Sequence, residues 1–511
     1  MFLVFLRSMP RWFELPLRAL SRFHSTNKGL NDILSSENLE VKGTWIKVIT
    51  FGSLVESDIQ IEKLATYEDL FELFEKLYSI YERVYILESL VGPKELTEMS
   101  IIGFDPKLIV TCDFSNKFKI KDRSSKVLKT LEVNEPLLQL RELMPEVNDD
   151  RFRYIGGAVG YINYDAVRVW EDLPIKKNKK ATGFPLLEFG IYEDGILFNH
   201  EENQAYYFYF GKSRIEEVKK IIARTKKKAR HFSYSTPHRN MTKKRFVKMV
   251  TKAKQYLHDG DVFQVVLAKS MKFRVKGDLI GLYAQLRKVN PSPYMYVLKM
   301  CNRCIIGSSP EMLVRVTRDH IETFPIAGTR PIVQDERKNE ELRQDLLKDE
   351  KEVAEHTMLV DLARNDIGKV CEFGTVKVEE FMTVKRFSHV QHIVSHVVGR
   401  LRKGFDSYTS FSAVFPAGTV SGAPKVRAME IIDELEPTLR GPYAGALGYF
   451  SFNGSCDFAI TIRSLFVNSN NAYIQSGAGI VIDSDPEGEW AETEHKATAM
   501  LSALKKAASA R

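Results

Sequence analysis

Residues 445–479 limit the architecture more than any other stretch of the chain. Two β-rich runs, 445–452 and 457–467, flank Asn453-Gly454, a dipeptide suited to the positive φ angles of a tight hairpin turn. A further strand follows and ends at Gly477-Ala478-Gly479. Successive strands without an intervening helix make an antiparallel meander and argue against an alternating βαβ chain. The same pattern recurs at 312–316 with 321–326, across Thr317-Arg318-Asp319, and at 195–199 with 204–210. Shorter strands are expected at 84–88, 108–112 and 154–164, and helices at 67–80, 213–225 and 243–257. The expected class is α+β.

Residues 1–28 carry Arg7, Arg11, Arg18 and Arg22 with Glu14 as the one acid, a pattern shared by transit peptides, disordered extensions and misassigned starts. Arg7 and Pro10 interrupt the one apolar run there, so no membrane span is expected. Residues 235–240 (STPHRN) mark a linker, dividing an N-terminal half, 29–234, from a second region, 238–511. Five scattered cysteines in 511 residues exclude a disulfide framework and fit a reducing, cytoplasmic setting, with import through residues 1–28 left open. Cys301 and Cys304 have a metal-like spacing without a second pair and read as decoration of a turn. The net charge of +8 gathers in 176–180 and 219–230, where no interleaved aromatics or reader motif indicate nucleic acid.

The chemistry-bearing stretch is 352–366, EVAEHTMLVDLARND. On a helix Glu352 and Glu355 share a face, and the apolar residues after them predict burial beyond the first turn. A second pair, Glu489 and Glu492, has the same spacing. Buried carboxylates need a compensating cation or proton, so the two pairs either converge on a hard cation or are ordinary salt-bridged helix starts. Asp361 with Arg364 reads as a structural ion pair. His389, His392 and His396 fall on one face if 388–396 is helical, but without cysteine or HExxH spacing they make a poor zinc site. Gln264 is the one polar residue in the strand-like run 262–267 and must pair with backbone or face a site. Nucleophile-elbow, Walker and Rossmann signatures are absent.

Read together, PSPYM (291–295), GSSPE (307–311), PIAGTRP (325–331), EHTMLVDLARND (355–366), QHIVS (391–395), GTVSGAPKVRAMEII (418–432), GYF (448–450), TIRS (461–464) and SGAGIV (476–481) resemble the chorismate-utilising enzymes. Within them the chain is most similar to the large subunits of anthranilate synthase. Weaker matches precede these, LES (87–89), IIGFDP (101–106) and GGAVGYINYD (156–165). The resemblance implies two antiparallel sheets packed as a sandwich, with helices outside and a cleft between them.

It further implies that Glu355 and Glu492 bind Mg2+ with Glu352 and Glu489 behind them, and that His392 and Thr419 act at the reacting ring. Tyr449 and Arg463 match a clamp on the enolpyruvyl carboxylate, and Gly328, Thr329, Gly477, Ala478 and Gly479 match donors to substrate oxygens. Ser89, Pro293, Tyr294 and Met295 match a tryptophan-inhibition pocket, although Glu98-Met99-Ser100 stands where relatives carry Arg, an aromatic residue and Ser. Ala327 replaces the nucleophilic lysine of aminodeoxychorismate synthases, and Gln264 replaces the lysine that activates water in isochorismate and salicylate synthases. The implied reaction is chorismate plus ammonia to anthranilate plus pyruvate. No glutaminase constellation is visible, so a glutamine amidotransferase partner, in a heterotetramer, is expected to supply ammonia. A non-enzymatic basic RNA-binding or scaffold protein would require these carboxylates and Arg463 to be structural, and the basic runs lie outside the motif pattern.

Overall fold

The computed structural model describes residues 39–41, 44–46, 58–64, 69–173, 182–224 and 231–509, so the expectations for residues 1–28 and 176–180 lie outside it. The chain divides into two compact units, Met1–Phe51 and Gly52–Arg511. In the first, Leu39–Val41 pairs antiparallel with Thr44–Ile46.

The second unit is built on two sheets of twelve and thirteen strands among the described residues. Every pairing described is antiparallel, as the meander signal required. Nine elements carry the argument: strands β1 (Arg83–Glu88), β2 (Gln264–Lys276), β3 (Tyr294–Met300), β4 (Ile326–Pro331), β5 (Val390–Arg400), β6 (Ala446–Ser451) and β7 (Asn471–Ile480), and helices α1 (Glu350–Gly368) and α2 (Pro486–Ser509). The twelve-stranded sheet runs from β4 and β5 at one edge, through β6 and Gly157–Ile162, to Val127–Glu132. The other runs from β2 and β7, through β3 and β1, to Gln60–Lys63. Phe74, Phe104, Val297, Ile306 and Leu504 are among the side chains of an apolar core packed on it.

Both sheets interleave strands from before and after residue 235. β6 pairs with Gly157–Ile162, and β3 pairs with β1. Ser233–Tyr234 and His238–Arg239 are themselves laid on β2. The division at 234/238 therefore does not coincide with a break in packing. No helix among the described residues is long and apolar enough to cross a membrane.

The expectation of a helix at 388–396 is overturned, because this stretch is β5. Its β-branched run, Val390, Ile393, Val394, Val397 and Val398, favours a pleated surface, and the buried positions pack on the sheet. His392 and His396 then share a face by the twofold strand period, while His389 lies before the strand with its ring nitrogen 2.9 Å from the Val289 carbonyl.

Candidate active site

Asp349 caps α1 by accepting from the amides of Lys351 and Glu352, each at 3.2 Å, which fixes the first turn. His356, Leu359, Val360 and Ile367 are buried, whereas Ala354, Thr357, Asp361 and Arg364 are exposed. The expected burial beyond the first turn is thus wrong for one face, since α1 packs on β4 and β5 from one side only. Asp361 and Arg364 form the anticipated pair on the open face, 2.8 Å apart. Glu352 and Glu355 point toward the sheets. Burial first, and the charge of Glu355 second, raise the Glu352 carboxyl above its ordinary range.

Gln264 opens β2 and donates from Nε2 to Glu355 Oε1 at 2.7 Å, while its own buried Oε1 has no hydrogen-bond partner among the described residues. Gly479 leaves room for it, because a Cβ there would stand 2.7 Å from Gln264 Nε2. On α2, Glu489 is buried with Oε2 unpartnered among the described residues. Burial, and with it the neighbouring Glu492, raises its carboxyl, while a hydrogen bond with Ser484 and the charges of Lys351 and Lys496 pull it down. The influence of Lys351 brings the starts of α1 and α2 within electrostatic reach of one another. Lys496 links Glu492 Oε1 at 2.5 Å to the Gly477 carbonyl at 3.1 Å. No group of three His, Cys, Asp or Glu side chains able to cage an ion occurs among the described residues. The carboxylates at the starts of α1 and α2, one with a buried oxygen left unpartnered among the described residues, are hard oxygen donors of the kind Mg2+ takes beside substrate and water.

His392 faces this cleft from β5. The β4–β5 register slips between Ala327 and Arg330, so Gly328 and Thr329 bulge out of the ladder. Gly328 adopts φ +65°, and a Cβ there would come within 2.9 Å of Leu346 and 3.2 Å of Glu352 Oε2. The bulge lets the Gly328 carbonyl accept from His392 Nδ1–H at 2.7 Å, with Thr329 Oγ1 3.1 Å from the same nitrogen. Burial lowers the imidazole to about 4, so it is neutral near pH 7 with its lone pair on Nε2.

Arg463 sits at φ +52°, and its hydrogen bond among the described residues goes to the Lys496 carbonyl at 3.4 Å. Burial pulls its guanidinium down, against the opposing influence of Tyr443 and Glu492. The phenol facing it is Tyr443 rather than Tyr449: a Cβ on Gly477 would lie 2.9 Å from Tyr443 Oη, and Arg463 is among the groups acting on the Tyr443 phenol. Tyr449 instead lines a separate cavity beside Ser89 and Met295. The strand position of the GYF motif points it away, while the Gly441-Pro442-Tyr443 turn carries Tyr443 inward. Two more residues escaped the sequence reading. One is Lys496, one turn beyond Glu492. The other is Glu311 of the GSSPE motif, whose burial pushes its carboxyl up to about 8 even though Thr419 and Lys496 oppose the shift.

The cavity beside Tyr449 has a volume of about 50 Å³ and opens between the two sheets. It gathers Ser89, Tyr294 and Met295, whereas Pro293 packs on Gly92. Tyr449 Oη is buried there without a hydrogen-bond partner among the described residues. Glu98 pairs with Arg153, and the Ser89 amide donates to Ser100 Oγ at 3.2 Å. From the cavity wall a chain of charges leads inward. Tyr294 donates to Asp457 (2.9 Å), Arg315 bridges Asp457 (2.8 Å) and Glu322 (3.3 Å), and Glu322 holds His396 (2.8 Å), which stacks on Phe324.

Residues 82–502 match the family of chorismate binding enzymes, and the chain belongs to it. Among its relatives is a protein of Methanothermobacter thermautotrophicus named anthranilate synthase component 1, 45% identical over 454 residues that span 89% of this chain and 96% of that protein. The crystal structure of anthranilate synthase component I from Streptococcus pneumoniae superposes with a TM-score of 0.71 at 33% identity, covering 79% of this chain and 92% of the other. The menaquinone-specific isochorismate synthase of Escherichia coli, at 19% identity and a TM-score of 0.66 over 89% of this chain and 99% of that one, shares the fold.

Proposed function

We infer that this chain is the large subunit of an anthranilate synthase, converting chorismate and ammonia to anthranilate and pyruvate in tryptophan biosynthesis. The observation that carries the reading is the Gln264–Glu355 hydrogen bond. An amide held against a carboxylate cannot activate water, and Ala327 offers no nucleophile, so ammonia adds to the ring directly.

Glu355 and Glu492 would hold Mg2+, which when bound supplies positive charge at the ring carboxylate and the departing hydroxyl. Arg463, short of anionic partners, and Tyr443 bind the enolpyruvyl carboxylate. Addition of ammonia at C2 leaves one proton too many on nitrogen, and the C4 hydroxyl needs one to leave as water. Neutral His392 accepts at Nε2, and Glu311, held protonated by burial, is the donor. Loss of the C2 proton and of pyruvate then gives the aromatic ring.

A glutamine amidotransferase subunit supplies the ammonia, in a heterotetramer, and the setting is cytoplasmic. L-Tryptophan inhibits by entering the cavity of Ser89, Tyr294, Met295 and Tyr449, whose apolar walls and unpartnered phenol suit an aromatic amino acid. The test is product analysis from chorismate, Mg2+ and ammonium by fluorescence and mass. Anthranilate and pyruvate in equal amounts are expected. Accumulation of 4-amino-4-deoxychorismate, or of isochorismate without ammonium, would overturn the assignment.

A further inference from the structure

The side of α2 turned away from Glu489 and Glu492 is fastened to β2 by a cluster that the reaction itself does not use. Lys269 of β2 is 1% exposed, and its ammonium meets Glu494 and lies 3.5 Å from the centroid of the Trp490 ring. Arg239 grips the same carboxylate through two hydrogen bonds, 3.0 and 2.6 Å, and passes over the same ring at 5.9 Å. Phe246 meets the Trp490 ring edge-on at 5.6 Å. Trp490 and Glu494 are four apart, so they lie one above the other on a single stripe of the helix. Glu489 and Glu492 alternate with them within the same two turns. A twist of α2 about its axis therefore cannot move one pair without the other. β2 also carries Gln264, five residues from Lys269, which holds Glu355 of α1. One strand thus references both carboxylate-bearing helices.

We propose that Lys269, Arg239 and Glu494, closed around Trp490, are positioning residues that set the rotation of α2 and so turn Glu489 and Glu492 to the metal. This rests on the Mg2+ reading of the preceding section. The energetic case is that a cation buried as deeply as Lys269 must keep its anion in place, because an unpaired buried charge is strongly unfavourable. The bond is hence a stiff tether rather than a surface contact.

Mn2+ is the probe, counted by the electron paramagnetic resonance of the free ion in the presence of chorismate, alongside thermal melting. Glu494→Gln is expected to weaken Mn2+ binding by roughly tenfold, as loss of a group supporting metal ligands typically does. It should also raise the Mg2+ concentration needed for half-maximal turnover while leaving kcat at saturating Mg2+ near the wild-type value. If the single variant fails to fold, Lys269→Met/Glu494→Gln removes both charges and carries the test, with the same loss expected. Unchanged Mn2+ affinity in a folded variant, whatever its melting temperature, would overturn the proposal, because a merely structural cluster lowers stability alone. Wild-type protein that binds no Mn2+ would overturn the metal reading, and this inference with it.

Discussion

Two buried polar regions of this molecule treat their charges in opposite ways. Around Arg315, each charge has its complement: Asp457 and Glu322 flank the guanidinium, and burial, which would raise Glu322, loses to His396 and Arg315, which hold it at about 2. In the cleft, Glu489 Oε2 and Gln264 Oε1 are buried without partners among the described residues, and Arg463 is bonded to a carbonyl. A buried network with its bonds made is scaffold. Buried polarity left unmade is a cost that persists where something else is to be bound.

The largest effect expected from this contrast falls on Glu311. Glu311→Gln should lower kcat by about 10²–10⁴-fold, as loss of a general acid does, read from anthranilate fluorescence. Its folded-state carboxyl, at about 8, stands above the unfolded value. Its stabilising contribution is therefore fully present below the unfolded value and is lost as pH rises through about 8. The wild type should lose stability and activity over that range, and denaturant melts of the variant should be flatter there. His392 sets the opposite limb, with activity falling as pH drops through about 4.

Next comes a pair of arginine variants. Arg315→Met removes the guanidinium between Asp457 and Glu322, leaving as ion-pair partners among the described residues only Arg153 for Asp457, at 3.7 Å, and His396 for Glu322, and should cost about 3–5 kcal/mol in denaturant unfolding. Arg463→Met should leave stability nearly unchanged and raise the chorismate KM. Equal stability losses in the two would break the distinction between scaffold and site. A finer test uses the two tyrosines. Tyr443→Phe should raise the chorismate KM by about tenfold, the scale of a hydrogen bond to a charged group. Tyr449→Phe should spare that KM and shift the tryptophan inhibition curve. The smallest effect belongs to the exposed Asp361–Arg364 pair, where Arg364→Ala should change stability by less than about 0.5 kcal/mol.

These residues also show what the sequence made legible. The hairpin around Asn453-Gly454 and the paired glutamates were readable, because strand alternation and helical spacing are local properties. The three histidines misled for the same local reason: offsets of three and seven fit a helix, but β-branching and the pairing of β5 with its neighbours decided for a strand. The GYF motif singles out Tyr449 in sequence, whereas only the fold of the turn after Arg440 shows that Tyr443 is the phenol that reaches Arg463. Glu311 closes the legible GSSPE motif, but its raised carboxyl is not written there, since it arises from burial in the folded chain. The strand order of either sheet was likewise unreadable, because it joins residues far apart in the chain.

That strand order has a consequence for the newly made chain. Gly160 lies in the interior of the twelve-stranded sheet, yet one of its strand partners, Gly448, is about 290 residues downstream. At a synthesis rate of about 5–20 residues per second, the strand around Gly160 must wait roughly fifteen seconds to a minute for its neighbour to leave the ribosome. During that interval Ala158, Val159 and Ile162, fully buried in the finished protein, present an open hydrophobic edge. The nascent chain is thus a natural client for chaperones that shield exposed strands, and its yield in a foreign host should depend on their supply and on the pace of translation between the two strands.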